Sequence, residues 1–297
     1  MNDNIHTIQS DALSVSVSER GAELTSIFSK KTNTEYLWQR DPAIWDKQAP
    51  VLFPIVGRLV NGKYVFDEKE YEMGIHGFAA ATKFDVEYAD NMSASSLLFT
   101  CSDTKETREI YPFAFNFRVF YYLKWNVLET IYLVENKTNG PMYFSFGSHE
   151  GFCCPRHEGE EFSDYYLEFD HDNDYHALAL SPNKLLTESA YTVLENDKRL
   201  QLDYKLFEND AIVMADCPSG KVILGSKKSK AKIEMDYTDA PNLGIWTKIG
   251  APYVCIEPWY GLPDFEGTDG DITKKPGIIR LEKDGVFSWK HSITIYE

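Results

Sequence analysis

Four short segments of the sequence each place an ionisable side chain among apolar residues and turn-forming Gly or Pro. Burying such a side chain without a hydrogen-bond or ion-pair partner costs several kcal/mol. Each of these side chains is therefore expected to have such a partner or a role in binding or catalysis. Together they offer Arg58, His76, His149 and Glu257, residue types that move protons or bind hydroxyl groups. The segments are LFPIVGR at 52–58, GIHGF at 74–78, FSFGSHEGF at 144–152 and VCIEPWYGLPD at 254–264.

These residue types fit two kinds of site. Two histidines and a carboxylate can act as a general acid–base pair with substrate anchors. The same set can hold a metal ion through two imidazoles and one carboxylate. Trp259 follows Glu257 closely, and its ring could stack on the apolar face of a sugar, although packing is the commoner use of a Trp. His291 lies in a strand-like alternation and is interpreted as a buried core residue.

Other motifs point away from nucleotides and calcium. The sequence contains neither phosphate-binding motif, GxxxxGK[ST] or GxGxxG, and no GxSxG nucleophile elbow. Residues 170–174 resemble the start of a calcium loop. The sixth and twelfth positions of that loop are Tyr175 and Ser181, where Gly and Glu are needed.

Strands must position these candidate residues, because apolar residues alternate with polar ones along most of the chain. Every second residue from Phe113 to Trp125 is apolar, which predicts one strand face. A second strand face is predicted near the C-terminus from Phe287, Trp289, His291, Ile293 and Ile295. Asn61-Gly62 predicts a tight hairpin, and residues 227–230 predict a turn between two strands.

The pattern predicts an all-β protein. No linker of Pro, Gly and Ser and no repeat divides the chain, so residues 1–297 are expected to form one domain. A single antiparallel β-sandwich is the simplest architecture.

Composition narrows the partners. Among 297 residues, 30 Lys and Arg oppose 46 Asp and Glu, giving a net charge of −16. Such a surface repels nucleic acid and anionic membranes, whereas a neutral sugar can bind without electrostatic repulsion. The N-terminus has no signal-peptide pattern, no stretch is long and apolar enough to span a bilayer, and the five Cys have no regular spacing. A cytoplasmic protein is therefore expected.

The four segments, in this order, resemble the aldose 1-epimerase (galactose mutarotase) family, and most closely its divergent lactose-operon-type branch. The resemblance extends over nearly the whole chain and includes YPF at 111–113 and ENDAI at 208–212. It implies a single-domain β-supersandwich that binds an aldohexose in an open cleft without a metal or cofactor. A monomer or homodimer is expected.

The resemblance also implies roles for individual residues. Glu257 matches the general base that removes the proton from the anomeric hydroxyl group, and His149 matches the acid that protonates the ring oxygen. His76 matches a second histidine near that oxygen, whereas Arg58 and Asp210 match residues that bind hydroxyl groups. Partial burial is expected to raise the pKa of Glu257.

One departure concerns Glu150, which follows His149 where typical family members carry an Asn-His-aromatic or a Gly-His-Pro segment. An extra carboxylate there is expected to raise the pKa of His149 or to clash with substrate. The leading hypothesis is thus a mutarotase of a free hexose. A non-catalytic sugar-binding protein or sensor and a hexose-6-phosphate mutarotase are the alternatives, the latter needing cations at the cleft rim.

Overall fold

The computed structural model describes residues 4–87 and 95–297. Strands make up 52% and helices 8% of the structure, which confirms the all-β class. The described residues include one short α-helix, α1 (Lys105–Ile110), which begins at Thr104 with reciprocal capping bonds to Thr107, and five short 3-10 helices. The strands are β1 Ile5–Gln9, β2 Leu13–Ser18, β3 Leu24–Ser29, β4 Thr34–Glu35, β5 Lys63–Phe66, β6 Lys69–Glu72, β7 Asp85–Glu87, β8 Ser96–Ser102, β9 Phe115–Lys124, β10 Val127–Asn136, β11 Met142–Phe144, β12 Phe146–Gly147, β13 Glu150–Cys153, β14 Tyr165–Leu180, β15 Leu186–Gln201, β16 Ile212–Met214, β17 Lys221–Ser226, β18 Lys232–Asp236, β19 Asn242–Trp246, β20 Tyr253–Tyr260, β21 Ile279–Leu281 and β22 Val286–Tyr296.

Most strands of the described chain join one antiparallel sheet of 14 strands. Its order is β12-β20-β19-β16-β14-β17-β18-β22-β10-β9-β8-β7, with β13 also on β20 and β15 on β14. Strands β1 to β4 form a second sheet, and β5-β6 and β11-β21 form two-stranded ribbons. One continuous cluster of buried apolar residues reaches from Ile8 in β1 to Ile295 in β22.

The alternating pattern of β9 explains how the sequence specifies this sheet. Buried residues alternate with more exposed ones from Phe115 to Leu123, as predicted. Trp125 was expected on the same face and is instead 66% exposed, with a positive φ of 55°. The reason is that residues 125 and 126 form the two-residue turn to β10, in which Lys124 pairs with Val127. A turn residue no longer follows the period of the strand.

The hairpin predicted at Asn61-Gly62 is wrong in its pairing. Both residues have positive φ, 54° and 68°, as their types favour. The backbone N–H of Val60, just before this turn, does not complete a strand pair there, because it donates to Asp264 Oδ2 over 2.9 Å. The hairpin is one strand later, between β5 and β6, around residues 67–68. The turn at 227–230 is confirmed, since β17 and β18 pair antiparallel across it.

Among the residues that the structure describes, none of the helices has the length and apolar character needed to cross a membrane.

Candidate active site

A cleft of about 370 Å³ opens over the face of β20. All six residues singled out from the sequence line it, although they are up to 201 positions apart in the chain. These residues are Arg58, His76, His149, Asp210, Glu257 and Trp259.

The central pair of the cleft is set by strand register. Gly147 of β12 pairs with Trp259, and Glu150 of β13 pairs with Ile256. The same register puts His149, in the gap between these strands, opposite Glu257. His149 Nε2 lies 3.2 Å from Glu257 Oε2, and both side chains are almost completely buried. An imidazole and a carboxylate in direct contact can exchange a proton.

Burial controls the charge of this pair. It lowers the pKa of His149 well below its usual value, and the neighbouring His76 adds to the effect. It raises the pKa of Glu257 well above its usual value, and the charges of Glu150 and Asp210 add to that rise. Because each shift opposes charge, the pair favours a neutral carboxylic acid on Glu257 and a neutral imidazole on His149.

Two hydrogen bonds join His76 to Gly57, the residue before Arg58. The His76 N–H donates to Gly57 O, and the Gly57 N–H donates back to His76 Nδ1, each over 3.0 Å. His76 lies in a turn closed by the Gly77 N–H donating to Gly74 O, and its own φ is +63°. Arg58 follows Gly57 directly, so these bonds place its backbone beside His76.

The Gly77→Ala substitution is expected to lower the free energy of unfolding by about 2 kcal/mol or more. Gly77 has a φ of +72°, and a Cβ there would lie 2.3 Å from Phe53 O. Gly74 provides a matched control, because a Cβ on it would meet nothing within 4 Å. Urea denaturation of both variants tests this, and equal stability of the two would contradict it.

His76 is expected to stay neutral in the folded protein down to about pH 5, with its proton on Nε2. Burial, helped by Lys47 and Arg58, lowers its pKa to about 3, and Nδ1 is occupied by the Gly57 N–H. Nitrogen-15 NMR of labelled histidine reports both the charge and the tautomer. The same protein in urea is the control, where His76 should titrate near 6.5. A proton found on Nδ1 would contradict the assignment.

Trp259 contributes one edge of the cleft and packs mainly against the sheet. It is 3% exposed. A Cβ on Gly147 or Gly244, in the flanking strands, would lie about 2.6 or 2.5 Å from its ring, so these glycines make room for the indole. Its Nε1 has no hydrogen-bond partner of acceptable geometry among the described residues, yet it lies close enough to Glu257 to oppose the rise in that pKa.

Two further tryptophans line the cleft and were not singled out from the sequence. The Trp45 ring stacks on His149, with centroids 5.2 Å apart and planes 30° apart. Trp246 meets the edge of Trp45 at 5.7 Å. Both are only half-buried, so they offer more open aromatic surface to a ligand than Trp259 does.

Basic side chains from distant parts of the sequence also line the cleft. Lys47, Arg58 and Lys184 line it. Lys184 Nζ lies 3.7 Å from Asp210 Oδ2 and donates to a backbone carbonyl group, whereas Lys47 and Arg58 have no ion pair with any described residue. The lysines around 227–232 are not among the residues lining this cleft.

Glu150 does not face the cleft, contrary to the expectation from its position beside His149. Its carboxylate accepts a hydrogen bond from Ser148 Oγ at 2.9 Å and lies 3.0 Å from His291 Nε2. Successive residues of a strand point to opposite faces, so His149 and Glu150 separate. His291 is buried, as predicted, and the pKa of His149 is lowered rather than raised.

One group in the described chain brings metal-ligating atoms together: His149, Cys255 and Glu257, within 4.8 Å of one another. This set differs from the His76, His149 and Glu257 set considered from the sequence. Burial raises the pKa of the Cys255 thiol well above its usual value, which opposes the deprotonation that metal binding requires. The cluster therefore fits a proton-transfer pair better than a metal centre.

Comparison with known proteins identifies relatives over the full length of the chain. The family model described as aldose 1-epimerase matches residues 4–267. The plasmid LacX protein of Lactococcus lactis subsp. lactis is 33% identical, with 97% of this chain and 98% of that protein covered.

Two solved structures are similar in sequence and fold. A galactose mutarotase related enzyme from Lactobacillus acidophilus has a TM-score of 0.93 and 36% identity, covering 99% of this chain and 98% of its own. A galactose mutarotase-like protein from Lactobacillus casei has a TM-score of 0.91 and 30% identity, covering 99% and 100%.

Proposed function

The chain belongs to the aldose 1-epimerase family, as its four motifs predict, and on that premise we propose that it interconverts the α and β anomers of a free aldohexose. The observation that carries the proposal is the buried contact of 3.2 Å between His149 and Glu257 on the floor of the cleft. Mutarotation moves one proton off O1 and one onto O5, and a pair that holds a single proton can do both.

The proposed reaction conserves protons at each step. The proton of the pair first passes from Glu257 to His149 across their 3.2 Å contact. Glu257 then takes the proton of the O1 hydroxyl group while His149 gives its proton to O5. The C1–O5 bond breaks, and an open-chain aldehyde forms. Rotation about C1–C2 presents the other face of the aldehyde. The O5 hydroxyl group then adds to C1, its proton returns to His149, and Glu257 returns a proton to O1.

The remaining residues of the cleft bind and orient the sugar in this proposal. His76 donates from Nε2, since Nδ1 accepts the Gly57 N–H. Arg58 donates to hydroxyl groups through its planar fork, and Asp210 accepts from them. Trp45 presents its ring face beside His149.

Polarimetry of freshly dissolved α-D-glucose and α-D-galactose tests the proposal. Acceleration above the uncatalysed rate, unchanged after treatment with a chelator, is the expected result. Loss of activity on chelation would replace this mechanism with a metal-dependent one. Sugar binding without acceleration would favour a carbohydrate-binding protein or sensor.

A hexose 6-phosphate is a second candidate substrate, because Lys47 and Arg58 line the cleft without ion-pair partners in the described chain. Two free cations in a chain of net charge −16 suit a dianionic phosphate. Comparing glucose with glucose 6-phosphate in the same assay separates the two candidates. The phosphate ester is the substrate if its rate enhancement is larger and falls in a Lys47→Met variant.

A further inference from the structure

Among the described residues, the imidazole of His149 has a polar partner for only one of its two nitrogens. Its Nε2 lies 3.2 Å from Glu257 Oε2, whereas its Nδ1 is buried and has no hydrogen-bond partner of acceptable geometry. A histidine that acts as a general acid or base is commonly oriented by a hydrogen bond at its second nitrogen. A contact at one ring atom does not fix the plane of the ring, so other contacts must do so here.

Three aromatic rings surround this imidazole. The Trp45 ring stacks on its face, with centroids 5.2 Å apart and planes 30° apart. His76 and Trp246 meet it edge-on, with centroids 5.4 Å and 6.1 Å away and planes at 87° and 77°. Stacked and edge-to-face contacts are the arrangements that the charge distribution of aromatic rings favours. One face contact and two edge contacts therefore define the plane of the imidazole.

Trp45 belongs to a loop whose two ends are bonded to the strand beside His149. We call residues 38–48 the Trp45 loop. The Trp38 N–H donates to Gly151 O, and the Gly151 N–H donates to Gln48 O, each over 2.8 Å. Within the loop, Trp38 Nε1 donates to Trp45 O over 3.1 Å. Gly151 lies in β13, two positions after His149, so one residue anchors the loop next to the imidazole.

The position of the indole is set by the protein itself. A Cβ on Gly151 would lie 2.8 Å from Cζ3 of Trp45, so this glycine makes room for the ring. The ring also stacks on Tyr253 of β20, with centroids 5.2 Å apart and planes 27° apart. Contacts with β13 and β20 thus hold the indole against the imidazole before any sugar binds.

We propose that Trp45 is a positioning residue for His149: its ring face holds the imidazole in the plane needed for proton transfer and stabilises the imidazolium ion formed in the reaction. This inference rests on the proposed mutarotase function and adds a residue to its machinery. The imidazolium ion arises when the proton of the pair passes from Glu257 to His149. An aromatic face attracts a cation more strongly than it attracts a neutral ring. Trp45 therefore stabilises the state that protonates O5 more than the resting state.

The other ionisable groups around the imidazole do not take over this role. His76 and Lys47 oppose a positive charge on it. Cys255 offers its sulfur atom within 4.8 Å of the pair, but burial raises the pKa of this thiol well above its usual value and keeps it neutral. The Glu257 carboxylate is the one anion in contact with the imidazole in the described chain, and it must itself accept a proton from O1.

Trp45→Leu and Trp45→Phe form the first test, because Phe keeps an aromatic face and Leu does not. In polarimetry, Trp45→Leu should lower kcat about tenfold, and Trp45→Phe should keep at least about a third of the unmodified kcat. KM should stay within about threefold in both variants. A large rise in KM with unchanged kcat would show that Trp45 only binds the sugar. That result would overturn this inference and leave the mutarotase function standing.

Gly151→Ala tests whether the effect depends on the position of the ring. Its Cβ would press on the indole from outside the cleft, since Gly151 is not among the residues lining it. It should lower kcat a few-fold in the otherwise unmodified chain and have a clearly smaller effect in Trp45→Leu, where the displaced ring is gone. The control is Gly140→Ala, whose Cβ would meet nothing within 4 Å. Equal losses in both backgrounds would contradict the inference.

The His149 ring signals in nitrogen-15 spectra, recorded without sugar, give a readout that does not depend on turnover. They should form one sharp pair in the unmodified protein and in Trp45→Phe, and be broadened or doubled in Trp45→Leu. A sharp single pair in Trp45→Leu would overturn the inference whether or not the protein is a mutarotase. The expected spectra from a protein that turns over no aldose would refute the proposed function alone. A cooperative urea transition shows that each variant is folded.

Discussion

The Glu257→Gln variant should lose about a thousandfold in kcat/KM for mutarotation and keep its affinity for the sugar. Gln has nearly the same shape as Glu but cannot accept a proton from O1. The partner is lost as well, because His149 then faces an amide group instead of the carboxylate 3.2 Å away. Polarimetry measures the rate, and quenching of Trp45 and Trp246 fluorescence on titration with sugar measures binding.

Glu72→Gln is the matched control for that variant. It also removes one carboxylate, but Glu72 is exposed on β6 and is not among the residues lining the cleft. Its activity should equal that of the unmodified protein. If Glu257→Gln keeps more than a tenth of full activity, Glu257 is not the base. Its carboxylate would then have a structural role only.

The Lys275→Met variant should lower the free energy of unfolding by about 3–5 kcal/mol. Lys275 Nζ bonds Asp264 Oδ1, and both residues are less than 7% exposed. Removing the ammonium group leaves the Asp264 carboxylate buried without a counter-ion. The Asp264 carboxylate also accepts a hydrogen bond from the Val60 N–H, and the Asp264 backbone N–H donates to Arg58 O. Losing the ammonium group should therefore loosen the segment that carries Arg58.

Urea denaturation measures this effect, and Lys290→Met is the control. Lys290 pairs with Glu129 at 3.1 Å, but its side chain is 67% exposed, so solvent screens the pair and little stability should be lost. The double variant Lys275→Met/Asp264→Asn should recover part of the loss because it removes both buried charges. Equal midpoints for Lys275→Met and Lys290→Met would show that the buried pair contributes no more than an exposed one.

The sequence predicts the strands well, and the residues that it singles out line one cleft, for a local reason. Period-2 alternation is a property of neighbouring residues, and the motifs around His149 and Glu257 carry their own flanking Gly and Pro. The burial of Glu257 follows from its apolar neighbours, and the expected direction of its pKa shift is the one found. That His149 is its register partner depends on the pairing of β12 and β13 with β20, which no local pattern reveals.

Other features of the site depend on distant parts of the chain. Trp45 and Lys47 lie outside the four motifs and reach the cleft only through the fold. Asn61-Gly62 has the turn conformation that its residues favour, but Asp264, about 200 positions later, takes the hydrogen bond that a hairpin would have used. The expectation that Glu150 acts on His149 or on the substrate is wrong, because the sequence does not show that His291 lies on the opposite face of the strand and contacts Glu150 there.

Strand β22 has a consequence for how each molecule is made. It lies between β10 and β18 in the large sheet, and Tyr132 of β10 pairs with Trp289, more than 150 residues later. At a synthesis rate of ~5–20 residues per second, β10 must wait about 8–30 s for this partner to be translated. During that interval one long edge of the β8–β10 meander is open to other chains. Slower translation of the intervening segment would lengthen the exposure, so codon usage there bears on the yield of folded protein.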